Sequence, residues 1–316
     1  MARIARALLK RLGGMAIVLA LVVTVVFIIV RVTPGDPAAV MLGSDATPED
    51  IAQLRTRMGL DAPLITQYFQ FVLGILQGDL GQSIFLNQPV TTALAARAEP
   101  TFFLTLFSIL IAVVIALPVG IFSAVKRGTL FDQIVVTLTM VAASVPSFWL
   151  GLILIQVFAV SQGWFPASGY GGPDTSFLVR LHHLVLPAIA LGIVNSALIT
   201  RFTRAAMLDV LGDDYVRTAR AKGASERRVI LKHALKNAMI PIITVIGLSI
   251  AMLVAGAVVT ETVFGLPGIG NLVVSAVLRR DYPVIQGTLL VVAAIYVLIN
   301  FIVDMLYILV DPRVRL

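Results

Sequence analysis

The chain has 316 residues, 59% of them hydrophobic and 13% charged, with a mean hydropathy of +0.98; soluble domains carry roughly 25% charged residues, so the solvent of this chain is lipid. Its net charge of +7 and pI ≈ 10.0 would suggest nucleic acid in a soluble protein, but the cations sit in short segments beside apolar runs, which is the pattern of membrane topology and argues for lipid rather than a nucleic-acid partner. The absence of cysteine excludes disulfides, thiol catalysis and thiolate metal sites.

Six segments reach the ~20 apolar residues that a membrane helix requires. The first covers residues 12–30 and follows Arg3, Arg6, Lys10 and Arg11. A cleaved leader is the competing reading. The apolar run exceeds the roughly 7–15 residues of a leader core, and Arg31-Val32-Thr33-Pro34-Gly35-Asp36-Pro37 offers no clean small-residue cleavage site. The following loop, 32–99, carries only Arg55, Arg57 and Arg97 beside seven acids. Within it Thr47-Pro48-Glu49-Asp50 reads as a helix start: Thr47 as N-cap, Pro48 in the first turn, Asp50 closing an acidic capping box. Ile51, Leu54 and Met58 share a face, and Gly59 can end the helix. A second amphipathic stretch, 65–76, precedes Gly78-Asp79. Both read as short helices resting on the outer membrane surface or on the bundle.

The second span covers 100–125 and the third 133–160, joined by a turn with Lys126 and Arg127. The fourth covers 184–199 with an extension past Thr203, the fifth 238–263 and the sixth 284–310. Pro118 falls in the second span, while Pro187 and Pro241 fall near span starts, where a missing N–H costs little. Pro146 lies mid-span in Ser144-Val145-Pro146-Ser147. It reads as a static kink or as a hinge lining a solute path, with the serines able to satisfy freed carbonyls. Asp304 in the sixth span, about 10 Å from its inner end at 1.5 Å per residue, is either a functional carboxylate or a helix-to-helix hydrogen bond near Asn300. Glu261 reads as an interfacial anchor or a gate contact. Gln156 and Asn195 either face a path or bond between helices.

Lys and Arg fix the orientation. The N-terminal segment, the 126–127 turn, the stretch between spans four and five, and Arg313 with Arg315 all fall on one side, which is therefore cytoplasmic. The expected fold is an all-α polytopic membrane protein: six transmembrane helices, both termini cytoplasmic, and an external helical loop after the first span. Residues 1–99 hold the first span and external loop, and 100–316 a five-helix core.

Residues 201–236, between spans four and five, are too long and too patterned for a connection. They carry Arg201, Arg204, Arg217, Arg220, Lys222, Arg227, Arg228, Lys232 and Lys236. Asp213 and Asp214 can cap a helix through Tyr215-Val216-Arg217-Thr218-Ala219-Arg220-Ala221-Lys222, with acids at its start and bases at its end to suit the dipole. Gly223 can end it, and Ser225 can cap a second short helix, 226–235, with Arg228 and Lys232 on one face. Topology alone explains the charge. A docking surface for a soluble partner explains the charge and the capped, glycine-broken pair of helices together.

The stretch Asp214-Tyr215-Val216-Arg217-Thr218-Ala219-Arg220-Ala221-Lys222-Gly223-Ala224-Ser225 resembles the coupling loop of ATP-binding-cassette import permeases of the dipeptide, oligopeptide and glutathione class. Arg217-Thr218-Ala219 stands at that family's E-A-A position and Gly223 at its glycine. Of the general consensus only Ala219, Gly223 and Leu235 match; His233 and Lys236 depart from it, as the peptide branch does. Further segments are similar to the same branch: Pro34-Gly35-Asp36-Pro37, Asn237-Ala238-Met239-Ile240-Pro241, the run Glu261-Thr262-Val263-Phe264-Gly265-Leu266-Pro267-Gly268-Ile269-Gly270, Arg280-Asp281-Tyr282-Pro283, and Asp311-Pro312-Arg313-Val314-Arg315. Together they cover the chain in order.

The resemblance implies a permease subunit of a bacterial inner membrane, with the helical loop after the first span in the periplasm, that forms the path for peptides or similar small solutes. Its implied partners are a second homologous permease, two cytoplasmic ATP-binding subunits seated on the loop at about 209–236, and a periplasmic or lipid-anchored solute-binding protein. No Gly-Lys dipeptide occurs, so the chain has no phosphate loop of its own and is no ATPase. No cofactor, metal or catalytic cluster is expected: His182 and His183 lack a third ligand nearby in sequence, and Gly265–Gly270 follows no β-strand. An ion-coupled secondary transporter is the alternative. It would place several charges within the spans, where only Asp304 clearly stands.

Overall fold

The structure, a computed structural model, describes residues 2–32, 37–42, 46–57, 59–172 and 174–310. The motifs at 34–36 and 311–315, and the side chains of Arg3, Arg6 and Lys10, lie outside the described residues. The described chain is helical almost throughout, with one isolated β-bridge between Gln82 and Pro89. Among the described residues, five helices are long and apolar enough to cross a membrane, and a bent helix pair supplies a sixth crossing if it forms one span. The helices fall into two units, residues 1–99 with 271–297 and residues 100–270 with 298–316.

In the first unit, α1 (Ala2–Val32) is followed by α2 (Pro37–Leu42), α3 (Pro48–Arg57) and α4 (Leu64–Leu76). The capping box at the start of α3 forms. The Asp50 amide donates to Thr47 Oγ1 at 3.2 Å, and the Thr47 amide reaches Asp50 Oδ2 at 3.4 Å. Helix α4 packs on α1 rather than standing alone: Tyr68 and Thr24 hydroxyls bond at 2.8 Å, Arg31 Nε donates to Gln67 Oε1 at 2.9 Å, and Phe27 meets Tyr68 edge-on at 5.4 Å. Farther along, residues 83–85 are fastened to the turn that opens the last helix, α13 (Tyr282–Val310). Asp281 is 2% exposed and accepts from Ser83 Oγ at 2.6 Å and from the Phe85 amide at 3.2 Å.

The second unit is built on α5 (Val90–Val125) from Pro100 onward, α6 (Leu130–Ser144), α7 (Ser147–Leu154), α8 (Phe177–Leu211), α9 (Asp214–Ala221), α10 (Glu226–Arg228) and α11 (Leu235–Val263). Its core joins Leu104, Ile109, Leu184, Leu191, Ile199, Leu253 and Phe264. Small residues set the helix spacing. A Cβ on Gly192 would stand 2.8 Å from Ile111 Cγ2, and one on Gly120 would stand 2.7 Å from Thr203 Cβ.

Three expectations change. The third span is broken, not kinked: α6 and α7 meet at 95°. The cause is local. The residue before a proline avoids the helical region, and Val145 is extended at φ −89°, ψ 124°, so α6 ends there and Pro146 caps α7. Pro187 and Pro241 lie well inside their helices, because α8 begins at Phe177 and the fifth helix begins upstream of Leu235. Finally, the expected separate helix at 226–235 runs without a break into α11. No Gly or Pro stands between Ser225 and Pro241 to stop it, and residues Val229–Ala234 take a wider π-helical turn on the way.

Candidate functional site

The hairpin at 209–236 begins where α8 outruns a membrane crossing: its 35 residues exceed the ~20 that a bilayer needs. Gly212 ends α8, and α9 turns away from it. Asp213 and Ser225 occupy the N-cap positions in extended conformation, but neither side chain makes a cap hydrogen bond, so the predicted side-chain caps are absent. The turn after α9 closes through the backbone instead. The Gly223 amide donates to the Arg220 carbonyl at 2.9 Å, and the Ala224 amide to the Ala219 carbonyl at 3.2 Å. Gly223 has φ +79°, a conformation that is free for glycine and strained for a side chain.

Side chains sort by face. Val216 and Val229 are fully buried. Beneath them lies a small apolar cluster of Ala124, Ala206, Met207, Ala234, Ala238 and Ile242. Tyr215 ties α9 to the returning helix, accepting from Asn237 Nδ2 at 2.7 Å. Arg220 spans the turn with two bonds to Glu226, at 2.8 and 3.3 Å. Arg217 lies 3.5 Å from Asp214. Arg217, Thr218, Arg220, Lys222, Arg227, Arg228 and Lys232 are exposed, and Ala219 is half-buried. The hairpin is thus a basic projection with a buried root.

The five polar or proline residues singled out for a path or gate lie on separate elements. Pro146 is the exposed break between α6 and α7, and Gln156 is exposed in the π-helical segment Ile155–Ser161. Asn195 is half-buried and donates to the Leu191 carbonyl of its own helix at 2.8 Å. Asp304 is half-buried in α13. Glu261 is fully buried and accepts from Thr101 Oγ1 at 2.6 Å, while Thr101 Oγ1 accepts from the Ile269 amide at 2.9 Å. The glycine run 265–270 is the wall around that carboxylate. A Cβ on Gly268 would fall 2.2 Å from Glu261 Cδ, and one on Gly270 2.5 Å from Val258 Cα. The run is a tight turn that leads into α12 (Ile269–Arg279). His182 packs against the Phe165 ring at 5.1 Å.

Sequence reasoning did not single out Asp132 and Arg204. Asp132 is 4% exposed and takes both arms of the Arg204 guanidinium, at 2.7 and 2.8 Å. It also accepts from Ser123 Oγ and, at 3.0 Å, from the Gly128 amide. The available signal was weak: an acid in the first turn of one span and one base among many in the next.

Membrane-length helices and a basic hairpin with a buried root describe a multi-pass membrane protein that presents a charged face beyond its own chain. The chain belongs to the family described as binding-protein-dependent transport system inner membrane component, which matches residues 116–316, with the N-terminal part of the same family of components over residues 4–101. It is 41% identical to the dipeptide transport system permease protein DppB of Escherichia coli K12 over 98% of each chain. It is 44% identical to the di/tripeptide transport system permease protein DppB of Pseudomonas aeruginosa, over 97% of each. With the glutathione transport system permease protein GsiC of Pectobacterium atrosepticum the identity is 45%, over 97% of this chain and 98% of that one. Among solved structures, the MetNI methionine ABC transporter in an inward-facing conformation shares the fold, with a TM-score of 0.57 at 21% identity over 69% of this chain and 96% of that chain. The chain is therefore a permease subunit of a binding-protein-dependent ABC importer, a multi-pass inner-membrane protein, and ATP binding lies on other subunits. These likenesses favour this reading over an ion-coupled secondary transporter.

Proposed function

We infer that this permease forms the translocation path for peptides or similar small solutes, paired with a second homologous permease and two cytoplasmic ATP-binding subunits. An external binding protein delivers the solute. Both termini are cytoplasmic, from the distribution of Lys and Arg. The hairpin at about 209–236 is the contact for one ATP-binding subunit, with Asp214, Tyr215, Arg217, Thr218, Ala219, Arg220, Lys222 and Gly223 as its working residues. Pro146, Gln156, Asn195, Glu261 and Asp304 are candidates for the path or gate, and Glu261 is better suited to an anchor, since its carboxylate is fully buried against Thr101. The relatives named for dipeptides, di/tripeptides and glutathione support the solute class.

One observation carries the coupling role. The basic face of α9 is exposed while Val216 and Val229 are fully buried, so the hairpin is held firmly by its own chain and presents its charges to something outside it. The test is reconstitution. Proteoliposomes holding the permease pair and ATP-binding subunits should take up a labelled dipeptide or labelled glutathione only with ATP and the binding protein. Uptake driven by an ion gradient without those partners contradicts the reading.

A further inference from the structure

Of the nine cations between residues 201 and 236, eight are exposed and Arg204 alone is drawn inward. Its side chain is 25% exposed and that of Asp132 is 6% exposed. The bond is a two-armed fork, Nε to Oδ1 at 2.7 Å and Nη2 to Oδ2 at 2.8 Å, a geometry that fixes orientation as well as distance. The carboxylate reaches three elements at once. Asp132 belongs to α6, Ser123 donates to it from the end of α5, and the Gly128 amide donates from the turn between them. Next to it, α5 and α8 approach so closely that a Cβ on Gly120 would stand 2.9 Å from the Thr200 carbonyl oxygen.

Such a pair is a poor device for stability alone. Burying two charges costs about as much as their attraction returns, and apolar replacements of similar volume are often neutral. What the fork does supply is a fixed register. Arg204 stands seven residues before the end of α8 at Leu211, about 10 Å along the axis at 1.5 Å per residue. Beyond Leu211 lie only Gly212 and Asp213 before α9. The apolar cluster under the hairpin already joins α8 to the returning helix and to Ala124 of α5, but it contains no residue of α6.

We propose that Asp132 and Arg204 are positioning residues that carry displacement of the coupling hairpin from α8 into α6 and the 126–129 turn, and so into the second and third spans. The inference rests on the hairpin contacting an ATP-binding subunit, as proposed above. In the nucleotide-driven cycle, movement of α9 pulls the end of α8, and the fork makes α6 follow. Without it, α8 slides against α6 through apolar contact only.

The test uses the absence of cysteine to place single fluorescent labels in the assembled complex. One label goes at Arg227→Cys on the hairpin and another at Arg127→Cys in the turn, both at exposed positions. Fluorescence is compared with and without ATP and vanadate, in the parent and in the double variant Asp132→Asn with Arg204→Met. The double variant removes both charges together, so no lone buried charge remains. The expected result is a nucleotide response at both positions in the parent. In the double variant, which should assemble and melt close to the parent, the response is kept at 227 and lost at 127, and uptake is lost with it. Arg204→Lys, which keeps the charge without the fork, should reduce the response at 127 in the same way. A response at 127 that persists in the double variant, or is missing in the parent, overturns the inference. If the double variant fails to assemble while Arg204→Lys assembles with a full response at 127, the pair is merely structural and the inference falls. Silence at 227 in the parent overturns the coupling reading itself, which separates the two failures.

Discussion

Two glycine-bearing turns, one after α9 and one after α11, each use a left-handed glycine, Gly223 at φ +79° and Gly265 at φ +59°, but differ in what surrounds them. At Gly223 the backbone is left-handed, at φ +79°, and a Cβ would meet nothing within 4 Å. At Gly268 and Gly270 a Cβ would strike the Glu261 carboxyl group and the Val258 backbone. The first turn is left open around its glycine, as the proposed contact with a partner requires. The second is shaped by close packing around a buried carboxylate and is complete within the chain. The first is the turn proposed above to meet an ATP-binding subunit, and the second packs wholly within its own chain. Substitutions in the two places should fail in different ways.

The largest effect should come from the closed turn. Gly270→Ala forces a methyl group to 2.5 Å from Val258 Cα, an atom that cannot rotate away. Overpacking of this kind costs about 1–3 kcal/mol, occasionally more. Assembled complex should fall sharply in detergent-extracted membranes, and normal yield with normal melting would break the comparison. Gly223→Val should do the reverse. A β-branched residue at positive φ is strained by roughly 1–2 kcal/mol, but the strain is confined to an open turn. The complex should reach the membrane at parental yield and lose dipeptide-stimulated ATP hydrolysis and uptake. Stimulation at the parental level would mean that the segment is only a charged loop.

Thr101→Val tests the closed turn more gently. It removes a 2.6 Å donor from the fully buried Glu261, at about 1–3 kcal/mol for a buried group left short of a partner. Melting of the complex should fall while its ATPase stimulation per assembled complex stays parental. The smallest effect belongs to Arg220→Ala on the open hairpin. Its bridge to Glu226 joins side chains 40% and 60% exposed, and such pairs contribute about 0.2–1 kcal/mol. Uptake should stay within a few-fold of the parent, because so small a loss leaves the folded population almost unchanged.

Local signals were legible in the sequence and distant ones were not. Thr47 and Asp50 lie three residues apart, so their reciprocal bonds follow from helix geometry, and they form. The positive φ at Gly223 follows from its place between a helix end and a polar turn. The family resemblance, too, came from contiguous motifs, and the match over the chain agrees with it. By contrast, Asp132 and Arg204 are 72 positions apart, Thr101 and Glu261 160, and Ser83 and Asp281 198. No period or spacing brings such residues together, because tertiary packing alone decides the pairing. Hydropathy located the third span but could not reveal its 95° break, since Val145-Pro146 restricts the backbone without changing the apolar count. The continuation of residues 226–235 into α11 was hidden for a related reason: the cap signal at Ser225 marks a start and says nothing about the end.

The open hairpin is proposed to engage an ATP-binding subunit, and a pair of cysteines tests that contact directly. In the assembled complex, Arg217→Cys on the exposed face of α9 should cross-link to an ATP-binding subunit carrying a cysteine in its permease-facing groove, and ATP with vanadate should change the yield. A cysteine at Gln53 of α3, equally exposed but in the loop assigned to the periplasm, should give no such product. Absence of the product at 217 in a complex that hydrolyses ATP normally, or an equal yield at 53, would contradict the account.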